Sequence, residues 1–336
     1  VVRAAFLQLA IFFELTNVVQ SILSVAICAT TLGIAVEVVG LPFNWYSSFS
    51  LERRFGLSKI RLSKWFFSYA QEVTIIQMSW SVCVTLAYLV IEIFGTYWWL
   101  FVGAAFSIIT IVLTKLWPLL VLPRRPPVRP LRREGLALKL QVLARKAGVS
   151  VIGVNEWPVE EDTSRVNAAL VGIGSTRRIL ISGTLLEDYS DDEIEGILAH
   201  ELAHHVHYDI WKTIVRRGAV VLLGCWIAQQ ALSASLPLLH LDGLSDVAGL
   251  PILVICVGCT LLLASPVTNA LSRLSEYRAD RFAIDLTGNR DAFMSGLRRF
   301  AAQNLAEERP KALVKWFFFS HPPVTERLAA VSRYRF

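Results

Sequence analysis

The sequence predicts a mainly α fold, a multi-span bundle of membrane helices joined to a smaller α+β region at one membrane face. Three observations carry this. Of the 336 residues, 54% are hydrophobic and only 18% are charged, where a soluble domain has about 25% charged. The apolar residues gather into five blocks, each near the ~20 residues a spanning helix needs. The polar segments between those blocks alternate in charge. The mean hydropathy of +0.51 excludes a disordered chain, a collagen-like fibre and a small disulfide scaffold, and it argues against a soluble cytosolic enzyme.

The spans fall near 18–40, 70–94, 97–122, 213–236 and 249–270. Gly95 and Thr96 leave almost no loop between the second and third, which predicts a helical hairpin. Segment 41–69 carries Arg53, Arg54, Lys59, Arg61 and Lys64, and segment 123–135 carries five arginines. The turn near Gly95 and the loop 237–248 carry no Lys or Arg. Positive residues stay on the cytoplasmic side, so 41–69, 123–212 and 271–336 are expected there. The bacterial inner membrane is the expected site. The net charge of +6 and pI near 9.2 are read as membrane topology. No basic and aromatic platform supports nucleic-acid binding. The partners expected are the lipid bilayer and a peptide or protein substrate.

Four regions follow. Residues 1–122 form N-terminal transmembrane helices with a cytoplasmic amphipathic segment at 41–69. Residues 123–212 form a cytoplasmic α+β region, 213–270 a transmembrane pair, and 271–336 a C-terminal part that completes the cytoplasmic domain. Prolines among the arginines of 123–133 make a stiff linker. Residues 134–147 read as an amphipathic helix and Val149–Val154 as a short strand. Ser164–Gly172 and Arg178–Ser182 read as two strands around Gly174-Ser175-Thr176, a hairpin signal. Ser190 followed by Asp191, Asp192 and Glu193 starts a helix. The five cysteines all lie in apolar stretches and read as packing residues, including the Cys256-x-x-Cys259 pair. The sequence starts at Val1 rather than Met, and no localisation is read from its first residues.

The helix begun at Ser190 runs into His200-Glu201-Leu202-Ala203-His204. Residues i and i+4 share one helical face, so both imidazoles reach one ion. Glu201 points about 100° away, where it can take a proton from a metal-bound water. A catalytic zinc wants a third protein ligand and an open position. Asn269, Arg273, Glu276 and Asp280 follow helical spacing after the fifth span. Glu276 can ligate zinc, and Asp280, one turn on, can accept the second N–H of a ligand histidine. The same spacing also suits a solvated helix leaving the membrane. His321, ahead of Pro322-Pro323, reads equally as an oxyanion donor or as a helix-capping residue. His205 and His207 face elsewhere and read as structural, and His240 lies in the outer loop. Glu92 and Lys115 are the charged span residues expected to face a cavity, whereas Glu72, Arg216 and Arg217 suit helix ends.

These motifs together resemble the integral-membrane zinc metalloproteases that include the type I CaaX prenyl protease. The resemblance covers roughly 40–333. It rests on Leu41-Pro42-Phe43 with Glu52-x-x-Phe55-Gly56, on Asn167-Ala168 with Arg178-Ile179-Leu180, and on the His-Glu-x-x-His helix. It also rests on Ser272-Arg273-x-x-Glu276-x-x-Ala279-Asp280 and on Ser320-His321-Pro322-Pro323 with Glu326-Arg327-Leu328. It implies a gluzincin-like protease domain with one zinc per chain, held by His200, His204 and Glu276. It implies Glu201 as general base, His321 as transition-state donor, and Asp280 with Asn269 and Arg273 behind the ligands. Asn167 and Ala168 lie on the implied edge strand that pairs with an extended substrate. His205-Val206-His207-Tyr208-Asp209 departs from the eukaryotic prenyl proteases and is similar to bacterial relatives, some concerned with membrane-protein quality control. Prenylated peptides and misfolded membrane proteins are both implied substrates. Two further readings compete. One is a site-2-type intramembrane protease, prompted by Leu241-Asp242-Gly243. The other is a non-catalytic membrane scaffold or chaperone with a structural zinc closed by His321.

Overall fold

A computed structural model describes residues 2–56, 58–121, 129–157, 168–171, 177–303 and 307–334, with side chains placed from residue 19 and not at 114–121. The chain divides into two compact units, residues 1–105 with 221–261 and residues 106–220 with 262–336.

The first unit is built from long apolar helices. α1 (Val2–Trp45) runs past Gly40 and through Pro42, then continues in a π-helical turn at Tyr46–Leu51 and α2 (Glu52–Arg54). α3 (Leu62–Phe94) packs along α1. Polar side chains fasten that contact from within: Trp80 Nε1 donates to the Ala29 carbonyl at 3.0 Å and Gln77 Nε2 to the Thr30 carbonyl at 3.1 Å. In hydrocarbon such groups need an internal partner. Gly95, at φ +52, turns the chain through a single 3₁₀ turn into α4 (Trp98–Val121). α8 (Asp209–Leu239) and α9 (Leu250–Thr287) supply the remaining apolar length. The core joins Val25, Ala29, Tyr88 and Ile91 to Trp98, Ala228 and Leu232. Ile75, Ile76, Leu86 and many like them stay exposed, as lipid-facing positions must.

Four helical stretches among the described residues are long and apolar enough to cross a membrane. The second, Leu62–Leu113, holds both α3 and α4. The five expected spans thus fall on α1, α3, α4, α8 and α9, and all of these helices except α4 run well past their apolar blocks.

The second unit sets helices against a four-stranded sheet of order β1-β2-β4-β3. β1 (Arg129–Pro130) is antiparallel to β2 (Gly153–Trp157). β2 is parallel to β4 (Arg178–Ser182), and β3 (Ala168–Val171) is antiparallel to β4 and ends the sheet. The strand expected at Val149–Val154 starts later, because Gly148 takes φ +73 and Val149 N–H caps the Ala144 carbonyl of α5 (Glu134–Lys146). The expected hairpin is the β3–β4 pair. Its turn Gly174-Ser175-Thr176 lies outside the described residues, as do Pro123, Pro126 and Pro127 of the expected linker. α6 (Gly183–Asp188) leads to α7 (Asp191–Val206), which packs against α10 (Arg290–Gln303). Leu140, Leu143, Ile179, Ile181, Leu198 and Leu202 fill the core between sheet and helices. Gly196 and Gly296 let α7 and α10 approach closely: a Cβ on Gly296 would sit 3.3 Å from Glu193 Cβ. α11 (Ala312–Phe318) and α12 (Val324–Arg333) complete the unit.

Candidate metal centre

The rotation of α7 is fixed at its start. Ser190 Oγ accepts from the Glu193 N–H, and the Glu193 carboxylate accepts from the Ser190 N–H at 2.9 Å, a capping box. Glu193 also accepts from Ser295 Oγ on α10 at 2.7 Å. Burial would raise the Glu193 carboxyl, but the bonds from Ser190 and Ser295 and the nearby Arg299 hold it below its ordinary value. Two turns on, His200 and His204 face α9.

α9 answers with Glu276 and Asp280, one turn apart. Glu276 Oε2 lies 3.4 Å from His200 Nε2, and Oε1 lies 3.5 Å from His204 Nε2. One ligand-capable atom from each of the three residues falls within 4.8 Å of the others. His321 Nδ1 stands 3.0 Å from Glu276 Oε1, while its ring stays 69% exposed.

Each histidine has a carboxylate behind it. Asp280 Oδ1 is 2.9 Å from His200 Nδ1, and Asp280 also accepts from Arg327 Nε at 2.9 Å and from Arg327 Nη2. Asp209 Oδ2 is 3.0 Å from His204 Nδ1 and Asp209 is paired with Arg278. Burial pushes the His200 pKa down, but Asp280 and Glu276 outweigh it and lift it to about 9. Burial likewise would raise Glu276, yet the His200 and His321 imidazoles beside it hold it well below the carboxylate range.

The residues fit a metal ion. Glu276 Oε2 is buried and makes no hydrogen bond, although an orphaned buried carboxylate oxygen is costly. His200 Nε2 faces it, and His204 Nε2 faces the other oxygen of the same carboxylate. Two His and one Glu, with space left over, is a donor set suited to catalytic zinc. That space is a cavity of about 430 Å³ lined by Glu201, His204 and Glu276 together with Ala169 and Leu170 of β3.

The other expected residues fall as follows. Ala168 opens β3, whereas Asn167 lies outside the described residues. Asn269 Nδ2 donates to the Phe317 carbonyl at 2.8 Å and Arg273 Nη1 to the Phe319 carbonyl at 2.6 Å. They hold the segment leading to His321 rather than a ligand ring, because at 1.5 Å per residue Asn269 sits about 10 Å along the helix from Glu276. His205 bonds to the Leu170 backbone, and burial, with Arg177 and His204 nearby, lowers its pKa to about 4. It stays neutral and ties α7 to β3. His207 Nδ1 lies 2.9 Å from the Ala203 carbonyl and its ring meets Phe282 edge-on. The expectation for charged span residues needs correction. Arg216 and Arg217, expected to snorkel, line the metal cavity. Glu92 is exposed and Lys115 has no described side chain. Among the described side chains of the spans, Arg216 and Arg217 in the first turns of α8 therefore carry the cavity-facing charge. Asp209, Arg278 and Arg327 were not foreseen as parts of the site.

The family described as Peptidase family M48 matches residues 130–335, which include every residue of this centre. The chain belongs to that family. Residues 1–124 match the family described as CAAX prenyl protease N-terminal, five membrane helices. This M48 chain is therefore a membrane metalloprotease. It is 28% identical over 301 residues to the uncharacterized metalloprotease YhfN of Bacillus subtilis, covering 88% of this chain and 70% of that one. It is 24% identical to the probable CAAX prenyl protease 1 of Schizosaccharomyces pombe, covering 90% and 65%. The chain thus spans about two thirds of the length of these relatives. The crystal structure of S. mikatae Ste24p shares the fold, with a TM-score of 0.79 and 21% identity over 90% of this chain and 74% of that one.

Proposed function

We propose that this M48 protease is a zinc metalloendopeptidase, with one zinc per chain held by His200, His204 and Glu276 and with its site facing the cytoplasm. The observation that carries this is the Glu276 carboxylate, its buried Oε2 without a hydrogen bond, set against the Nε2 atoms of His200 and His204 at the wall of a cavity that Glu201 also lines. Bound zinc supplies Lewis acidity and brings the attacking water within reach of ionisation near pH 7. Glu201, one residue past His200, takes the proton of that water and returns it to the leaving amine. His321, half free of the protein and beside Glu276, donates to the developing oxyanion. The outer edge of β3, from Ala168 onward, pairs with an extended substrate. His205 steadies that edge through Leu170.

The substrates proposed are CaaX-type prenylated peptides or misfolded membrane proteins, both delivered from the bilayer. The His321 exposure disfavours a closed structural zinc, since a fourth ligand would be buried with the ion. The test uses detergent-purified protein with a farnesylated CaaX peptide, its unprenylated twin and an unfolded membrane protein. Cleavage of only the farnesylated peptide assigns prenyl-protein processing. Prenyl-indifferent cleavage of the unfolded protein assigns quality control. Glu201→Gln is expected to keep its zinc and lose at least 10²-fold in rate. A zinc-loaded Glu201→Gln protein with full turnover would refute the mechanism.

A further inference from the structure

The geometry points to Asp209 as a positioning residue for the metal centre: it accepts from His204 Nδ1 and, clamped by Arg278, aims the Nε2 of that ring at the metal. This inference rests on the metal site proposed above.

The local fold is arranged to make this contact. On an unbroken helix Asp209, five residues past His204, would lie about 140° around the axis and could not meet its ring. The chain instead breaks. α7 ends at Val206. The His207 N–H bonds to the Ala203 carbonyl at 2.8 Å and the Tyr208 N–H to the His205 carbonyl at 3.2 Å. Tyr208 then takes φ +58, a left-handed conformation that costs a non-glycine residue about 1 kcal/mol. α8 starts at the next residue. That single left-handed step swings Asp209 back beneath His204.

Asp209 is itself held. Its side chain is 10% exposed, so an unpaired charge there would be costly. Oδ2 faces His204 Nδ1 at 3.0 Å, and Oδ1 is paired with Arg278, with Lys212 Nζ at 3.8 Å. Arg278 comes from α9, two residues beyond Glu276. The ligand helix and the Glu276 helix therefore meet through this acid as well as through the metal. The arrangement repeats, on the second histidine, what Asp280 and Arg327 do for His200. A carboxylate on the far nitrogen fixes the tautomer with Nε2 free and stops ring rotation.

The test measures zinc affinity by competition with a chelator of known affinity, alongside the visible spectrum of the Co²⁺-substituted protein. Tm without metal serves as the control for folding. Asp209→Ala is expected to weaken zinc binding 10–100-fold and to alter the Co²⁺ bands. Asp209→Asn keeps the shape and one acceptor oxygen, so it loses less affinity. Arg278→Leu, which leaves Asp209 in place, falls between wild type and Asp209→Ala. Should Asp209→Ala fail to fold, the nearly isosteric Asp209→Asn and Arg278→Leu decide. Wild-type zinc affinity and an unchanged Co²⁺ spectrum in those variants would overturn the inference. A wild-type protein that binds no zinc would instead overturn the metal site itself, so the two failures are distinct.

Discussion

Replacing Arg327 with Met removes the cation that holds Asp280 and faces Glu276. The Asp280 side chain is 2% exposed and the Arg327 side chain 11%, and two nitrogens of the guanidinium reach the two carboxylate oxygens. Arg327 Nη1 also lies 3.8 Å from Glu276 Oε2. Removing one partner of a buried pair leaves the other charge uncompensated, at about 3–5 kcal/mol. The Coulomb term agrees in size: two unit charges about 4 Å apart interact by about 4 kcal/mol at an effective dielectric of 20. For a unit of roughly 190 residues this lowers Tm by about 10 °C. The assay is thermal unfolding in detergent with chelator present, so that metal does not mask the loss. The double variant Asp280→Leu with Arg327→Met removes both charges and is expected to regain most of that Tm while still binding zinc poorly. An Arg327→Met protein melting within about 2 °C of wild type would refute the reasoning, because the pair would then contribute nothing to the fold.

Further outcomes follow from the same geometry. Glu193→Gln keeps an acceptor for the Ser190 N–H but removes the charge that strengthens that bond and attracts Arg299, with an expected loss of about 1–2 kcal/mol at pH 7. The folded Glu193 pKa is depressed, so its contribution is full above the unfolded value and fades as the pH falls through the folded one. The stability gap between wild type and variant should therefore close below about pH 4. Chemical unfolding across pH 3–7 checks this, and a constant gap would count against it. Gly296→Val places methyls against Glu193 Cβ and is expected to cost about 1–3 kcal/mol, read as a lower Tm. Tyr208→Gly relieves the left-handed step and should hold or raise Tm without changing zinc affinity. Chelation of the wild-type protein should lower Tm, since an ion bound only by the folded state stabilises it by mass action.

The membrane helices were legible because hydrocarbon leaves few alternatives to an apolar helix of sufficient length. The block at 70–94 is the C-terminal three quarters of α3, and the first turns of that helix belong to the more polar segment 41–69. Ser190 announced α7 because a capping box is local chemistry between residues three apart. His200, His204 and Glu276 were legible for a different reason: ligand spacing is set by helical period, and each half of the site is a short periodic pattern. Asp209 is not legible because the backbone leaves the helical period at Tyr208. Arg327 is not legible because its partner Asp280 is far away in sequence. The β2–β4 pairing was illegible for the same reason, as a parallel contact leaves no turn signal between its strands. Asn269 and Arg273 share the face of Glu276, but a face says nothing of distance along the axis.

The order in which the centre is written along the chain bears on biosynthesis. His200 and His204 emerge first, and α8 and the apolar two thirds of α9 must then be made before Glu276 and Asp280 appear. His321 and Arg327 follow only after a further forty residues. A growing chain therefore carries both histidines long before it carries the carboxylate that completes the proposed metal centre. A chain truncated at residue 270 lacks Glu276 and Asp280 and is expected to bind zinc far more weakly than the full chain.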